Sequence, residues 1–205
     1  RLMRLRLAPL LAAFYPVAVL LAQLLAACLL GAGIGWLVSI WLGWPVGLIV
    51  ALAIAWGMLV WFKSLDHKLF AYYLMHDYAF TAQHGGAYPP ELEARLAQFT
   101  DRLAEVLNSD LDEVLVVGHS SGAYLGVSLL ADLIRSGRVP ENGPALALLT
   151  LGHVVPMASF LPRSQRLRAD LALVSESPDL FWLDVSAPGD ACCFGLCDPV
   201  AVTGV

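Results

Sequence analysis

The sequence predicts a chain in two parts: a two-helix transmembrane hairpin, then an α/β domain with a mostly parallel sheet as the middle of three layers. Three observations predict this. No Asp, Glu, Lys or Arg occurs in the 56 residues from Leu7 to Phe62. Beyond that run, short continuously apolar segments alternate with stretches of helical periodicity, the pattern of parallel strands joined by crossover helices. All 17 acidic residues also lie beyond the run, so the charge is +3 before it and −8 after it. Of the 205 residues, 59% are hydrophobic and 14% charged, against about 45–50% and about 25% in an average soluble domain. Those values exclude a disordered chain, a coiled coil and a basic nucleic-acid-binding domain.

A spanning helix needs about 20 apolar residues, so an uncharged run of this length suits two. The break falls at Gly43-Trp44-Pro45, where Pro45 opens a second helix. The expected spans are about 16–42 and 45–62, within a hairpin of residues 1–62. A cleaved signal peptide, with one short apolar region, does not fit. Gly31 and Gly35, and Gly43 and Gly47, are each four apart, a spacing that lets helices approach closely in lipid. Tyr15, Trp41, Trp44, Trp56 and Trp61 suit the interfacial belt. Gln23 is expected to bond between the helices. Arg1, Arg4 and Arg6 precede the spans and Lys63 and Lys68 come after them, which predicts a multi-pass protein of the cell membrane with residues 63–205 facing the cytoplasm. The reducing cytoplasm would keep Cys192, Cys193 and Cys197 as thiols.

The second part reads element by element. Leu69–Met75 (LFAYYLM) is expected to be a buried strand, because it is short, apolar and rich in aromatics. A loop through His84-Gly85-Gly86 closes at Pro89-Pro90. Leu92, Leu96, Phe99, Leu103, Val106 and Leu107 then form one apolar stripe on a helix. Val114–Val117 is a strand covered on both faces, Ser121–Ser136 a helix stopped by Gly137, and Ala145–Leu151 a strand. Arg166–Val174 is a helix and Leu180–Val185 a final strand.

Between the strand at Val114 and the helix at Ser121 the chain reads Gly118-His119-Ser120-Ser121-Gly122, a G-x-S-x-G turn. Chance yields that pattern about 0.08 times in a chain of this length, given average Gly and Ser usage. The turn can hold the Ser120 hydroxyl out of the sheet as a nucleophile, with Gly118 and Gly122 avoiding collisions in the tight backbone. The N–H of Ser121 would be an oxyanion donor at the positive end of the helix. His119 adjoins the nucleophile and diverges from it, as a substrate-binding or packing residue. The loop leaving the last strand, Ser186-Ala187-Pro188-Gly189-Asp190, emerges at the same carboxyl edge as Ser120, which makes Asp190 the orienting acid. Asp184 lies inside the strand and Asp198 is the reserve.

At these residues the chain resembles the α/β-hydrolase superfamily, in its lipase and esterase branch. The resemblance covers roughly Leu69 to Val205. It implies a serine hydrolase cleaving an ester or thioester, with a Ser120–His–Asp190 triad and no cofactor. The family's histidine comes after the acid, and no His occurs after His153. The chain also opens with Arg and stops at Thr203-Gly204-Val205, so it is read as part of a longer polypeptide whose catalytic His lies beyond residue 205. His153 is the alternative base within the chain, and His76 and His84 fall where the family carries its oxyanion loop. Cys192, Cys193 and Cys197 lack metal-ligand spacing, so no metal is expected. The expected partners are the lipid bilayer and a small-molecule or lipid ester, and not nucleic acid. Two other function classes compete: an inactive membrane scaffold on a hydrolase-like domain, and a serine acyltransferase.

Overall fold

The computed structural model describes residues 7–187, 189, 190 and 192–205. Arg1, Arg4 and Arg6, on which the expected orientation partly rests, and Pro188 of the Asp190 loop lie outside the described residues. The chain divides into two compact units, Ala13–Phe80 and one dominated by Thr81–Val205.

The first unit is helical. Helix α1 (Leu7–Leu42) and helix α2 (Trp44–Ser64) turn about Gly43 at φ 83°, with a proline at the start of α2. The seam between them is built from small residues. Gln23, Ala27, Gly31 and Gly35 are buried at every fourth position of α1. A Cβ on Gly35 would stand 2.5 Å from the Gly47 carbonyl oxygen, and one on Gly31 would stand 2.6 Å from that of Ala51. Backbones this close require glycine. Gln23 sits in the seam, but its Oε1 has no hydrogen-bond partner, so the expected interhelical bond to that oxygen is not made.

Both helices are long and apolar enough to cross a membrane, over Leu11–Leu42 and Trp44–Ser64. Only 17% and 6% of their most apolar windows are buried, which distinguishes them from core helices of a soluble domain. The first is longer than expected. Pro16 lies inside α1 instead of opening it, a placement that transmembrane helices tolerate.

Leu69–Met75 is not a strand. A short helix α3 (Asp66–Leu69) ends at Phe70, which adopts the left-handed conformation at φ 54°, and helix α4 (Ala71–Ala82) comes next. The Asp66 carboxylate reaches across that turn and accepts the N–H groups of Tyr72 at 2.8 Å and Tyr73 at 3.0 Å. It thereby satisfies amides that the start of a helix leaves unpaired. His76 consequently lies on α4 and not in a loop.

The second unit is a mixed α/β arrangement. Helix α5 (Pro90–Leu107) leads into strand β1 (Glu113–His119), helix α6 (Ser121–Arg135) and strand β2 (Ala145–Leu151). Next come two helices, α7 (Val155–Ser159) and α8 (Gln165–Glu176), then strand β3 (Phe181–Val185) and the short helix α9 (Pro199–Thr203). The three strands are parallel in the order β1-β2-β3. His119 is paired with Leu151, and Leu151 with Val185, so all three strands end at one carboxyl edge.

Helix α6 fills the core. Val127, Leu130, Ala131 and Leu133 are fully buried and cluster with Leu148 of β2, Leu107 of α5 and Leu167 and Leu171 of α8. The opposite face of the sheet carries Leu115, Val117, Phe181, Leu183 and Val185, which are 45–66% exposed. Among the described residues the unit therefore has two layers and not the expected three, and its strands are covered on one face only.

An ion-pair network ties α5, α6 and α8 together. Asp170, 1% exposed, accepts from Arg135 at 2.7 Å, and Arg166 bonds Asp132 at 2.6 Å and approaches Glu93 at 3.2 Å. Burial and the neighbouring Asp132 and Asp170 outweigh Arg166 and push the Glu93 carboxyl above its usual range. Burial disfavours the Arg166 guanidinium, but its bond to Asp132 and the charges of Asp170, Asp132 and Glu93 overcome this, so the net shift is upward.

Candidate active site at the carboxyl edge of the sheet

Ser120 stands between β1 and α6 at φ 55°, ψ −120°, a conformation costly for any residue with a Cβ. The surroundings hold it there. Its N–H donates to the Leu151 carbonyl at 3.0 Å, and its carbonyl accepts from Ala123 at 3.1 Å. A Cβ at Gly118 would lie 2.6 Å from the Gly122 carbonyl oxygen and 2.8 Å from the Ala123 Cα, so only glycine fits beneath the turn. Gly122 differs from the expectation: nothing lies within 4 Å of its Cβ position. The Ser120 hydroxyl makes no hydrogen bond among the described residues and is half-buried. Ser121 opens α6, which places its N–H ahead of the helical ladder.

Asp190 lies on the same edge, across the end of β2. The β2–β3 ladder continues one residue through the Gly152 N–H to the Val185 carbonyl at 2.8 Å. Gly152, at φ 55°, packs its open side toward Asp190, whose Oδ2 would be 3.4 Å from a Cβ there. Asp190 Oδ1 accepts the Cys192 N–H at 2.8 Å, and the Asp190 N–H donates to Ala187 at 3.0 Å. The residue order along the edge is thus Ser120, Leu151-Gly152, Asp190. Gly152 escaped the sequence reading, although a glycine directly after an apolar strand is the visible signal.

The other acids and bases have different occupations. Asp184 faces the helices from within β3, where its Oδ1 accepts the Thr150 hydroxyl at 2.5 Å. Asp198 caps α9 by accepting the N–H groups of Val200 and Ala201. His153 is fully buried, and its Nε2–H donates to the Cys197 carbonyl at 3.0 Å. His119 is exposed, with the outward-facing residues of β1. Gly85 and Gly86, both at positive φ, hold their loop against Leu161–Ser164, with the Arg163 N–H donating to Gly85 at 2.8 Å. His67 on α3 bonds the Ser64 carbonyl through Nδ1 at 2.9 Å.

The cysteines are free thiols. Cys193 packs beneath the Asp190 loop, fully buried, whereas Cys192 is exposed. Partial burial, then the Asp190 charge and Cys193, push the Cys192 thiol up. A cleft of about 680 Å³ opens beside β3, and neither Ser120 nor Asp190 lines it. Compared with protein-family models, curated proteins and solved structures, the chain gives no match.

Proposed function

We propose that the protein is a membrane-anchored serine hydrolase that cleaves an ester or thioester of an apolar acyl group. The observation that carries the reading is the backbone of Ser120. A non-glycine residue at positive φ, on a strand-to-helix turn closed underneath by an obligatory glycine, stores strain that a simple connection has no need of. Such a turn presents a hydroxyl beyond the sheet edge and aims helix amides at the group it would attack.

In this reading Ser120 Oγ attacks the acyl carbon and its proton passes to a histidine supplied further along the full-length polypeptide, beyond residue 205. Asp190, on the same edge, orients that imidazole, and the Ser121 N–H faces the developing oxyanion. The histidine returns the proton to the leaving alkoxide or thiolate, and water then releases the acid. His153, sealed from solvent with its Nε2 proton given to Cys197, is poorly suited to this role. Lys63, in the last turn of α2, and Lys68 favour the cytoplasmic side for residues 63–205.

The test is fluorophosphonate labelling of the full-length protein in membranes, beside Ser120→Ala and Asp190→Asn. Labelling should vanish with Ser120→Ala and fall sharply with Asp190→Asn. Folded wild-type protein that takes no label would refute the catalytic reading and leave a membrane-anchored binding domain.

A further inference from the structure

The cleft beside β3 has a construction of its own. Trp182 and Asp184 of β3 and Ser186 just past its end line the cleft in alternation, and Leu180, Pro199 and Val200 supply apolar surface. Its volume, about 680 Å³, is that of a small-molecule site.

The polar floor is built in depth. The Trp182 indole N–H donates to Thr150 Oγ1 at 3.0 Å, and the Thr150 hydroxyl donates to Asp184 Oδ1. Asp184 Oδ2 has no comparable partner: Ser186 Oγ stands at 3.5 Å and His153 Nε2 at 3.6 Å, at or beyond the limit of a hydrogen bond. The His153 ring behind it is fully buried, with no partner at Nδ1. An unpartnered lone pair at that atom costs less than an unpartnered buried N–H. The ring gives its Nε2–H to the Cys197 carbonyl at 3.0 Å and is not free to turn toward Asp184.

Among the described residues no Lys or Arg lines the cleft, and Asp198 adds a second carboxylate to its lining. The result is a carboxylate side chain about one-quarter exposed, with only a long contact from Ser186 at Oδ2, in an open cleft of mixed polar and apolar lining. Such a group, with a second carboxylate nearby, is a ready partner for a cation.

We propose that this cleft binds a small organic cation, an ammonium group carried on an apolar body, with the ammonium seated on Asp184 Oδ2. One donor of the ammonium reaches Asp184 Oδ2 while its other donors stay in contact with water, and the walls of Trp182, Leu180 and Val200 take the apolar part. The proposal is independent of catalysis at Ser120, which lies outside the cleft.

The experiment uses the full chain in nanodiscs and ¹⁹F NMR of 4-(trifluoromethyl)benzylamine, protonated at pH 7, with empty nanodiscs as the blank. The neutral 4-(trifluoromethyl)benzyl alcohol is the isosteric control. Saturable broadening is expected for the amine only, weakened about tenfold or more by Asp184→Asn, as for loss of a charged hydrogen bond. Because Asp184→Asn also touches Thr150, Ser186→Arg serves as a second variant: a cation placed in the cleft from within should likewise displace the amine. Ser120→Ala should bind as wild type. Equal binding of the alcohol, no saturable binding of the amine, or undiminished binding in Ser186→Arg would overturn the proposal.

Discussion

The amide of Ser120 donates to the carbonyl of Leu151 at 3.0 Å, which carries the β1–β2 ladder one residue past the end of β1. This bond fixes the position of a residue whose own dihedrals would otherwise relax. The Gly152–Val185 bond does the same on the other side of β2. The two extended ladders set Ser120 and the Asp190 loop in register along one edge.

Gly118 is the steric condition of that arrangement. Gly118→Ala would drive a methyl group into the Gly122 carbonyl and the Ala123 Cα, and relief requires α6 to shift. The expected cost is about 1–3 kcal/mol, typical of overpacking. Thermal melting of the full-length protein would measure it, and fluorophosphonate labelling at Ser120 should fall with it.

Asp190→Asn should speed alkylation of Cys192. The Asp190 charge is one of the groups holding that thiol above its ordinary value, after burial, so its removal lets more thiolate form at a given pH. Mass-spectrometric mapping of iodoacetamide adducts at pH 8 would read the rate at Cys192 against Cys28. An unchanged ratio would show that the carboxylate does not act on Cys192.

Much of the second unit was legible in the sequence. The strand over Ala145–Leu151 has the bounds expected of it, the helix from Ser121 ends one residue short of expectation, and the helix near Arg166 begins one residue earlier and ends two later. Their signals are local: a continuously apolar strand, a G-x-S-x-G turn, a glycine stop. Leu69–Met75 was misread because its run is too short for periodicity to separate strand from helix. What decides it is Asp66, which caps the Tyr72 and Tyr73 amides from six and seven residues upstream, beyond any nearest-neighbour capping rule. The occupations of Asp184 and His153 were equally hidden, since they depend on Thr150 and Cys197, brought near only by the fold.

Asp170→Asn should destabilise the second unit. The variant leaves Arg135 and Arg166 without a carboxylate that is 1% exposed. Breaking a fully buried pair costs about 3–5 kcal/mol, and an expected loss of about 2 kcal/mol reflects a partner free to turn toward water. Arg135, at 47% exposure, is that partner. Thermal melts of the purified protein in detergent would measure the loss.

Tyr88→Phe should flatten the alkaline limb of the stability profile. Burial, chiefly, raises the Tyr88 phenol well above its ordinary value of 10.0, helped by Tyr124 and Asp170 and opposed by Ser128 and Arg166. The folded state then holds its proton more tightly than the unfolded chain. The stabilisation is fully present below pH 10 and is lost as pH rises through the raised folded value. The variant should lose about 1 kcal/mol at neutral pH, with the Tyr88–Ser128 hydrogen bond, but fall less steeply above pH 10. Melting temperatures between pH 8 and 11.5 would separate the two effects.

The backbone at Ser120 also has an evolutionary reading. At φ 55°, ψ −120°, alanine inherits the whole strain of serine, whereas glycine releases it. If Ser120 is the nucleophile proposed above, Ser120→Gly is a single substitution that trades it for stability. A population with no use for the hydroxyl would drift along that step, because most proteins sit only just above their stability threshold. On the proposed reading, serine is kept here against a standing gain in stability, and glycine at this position in a relative would mark a chain that no longer uses the hydroxyl.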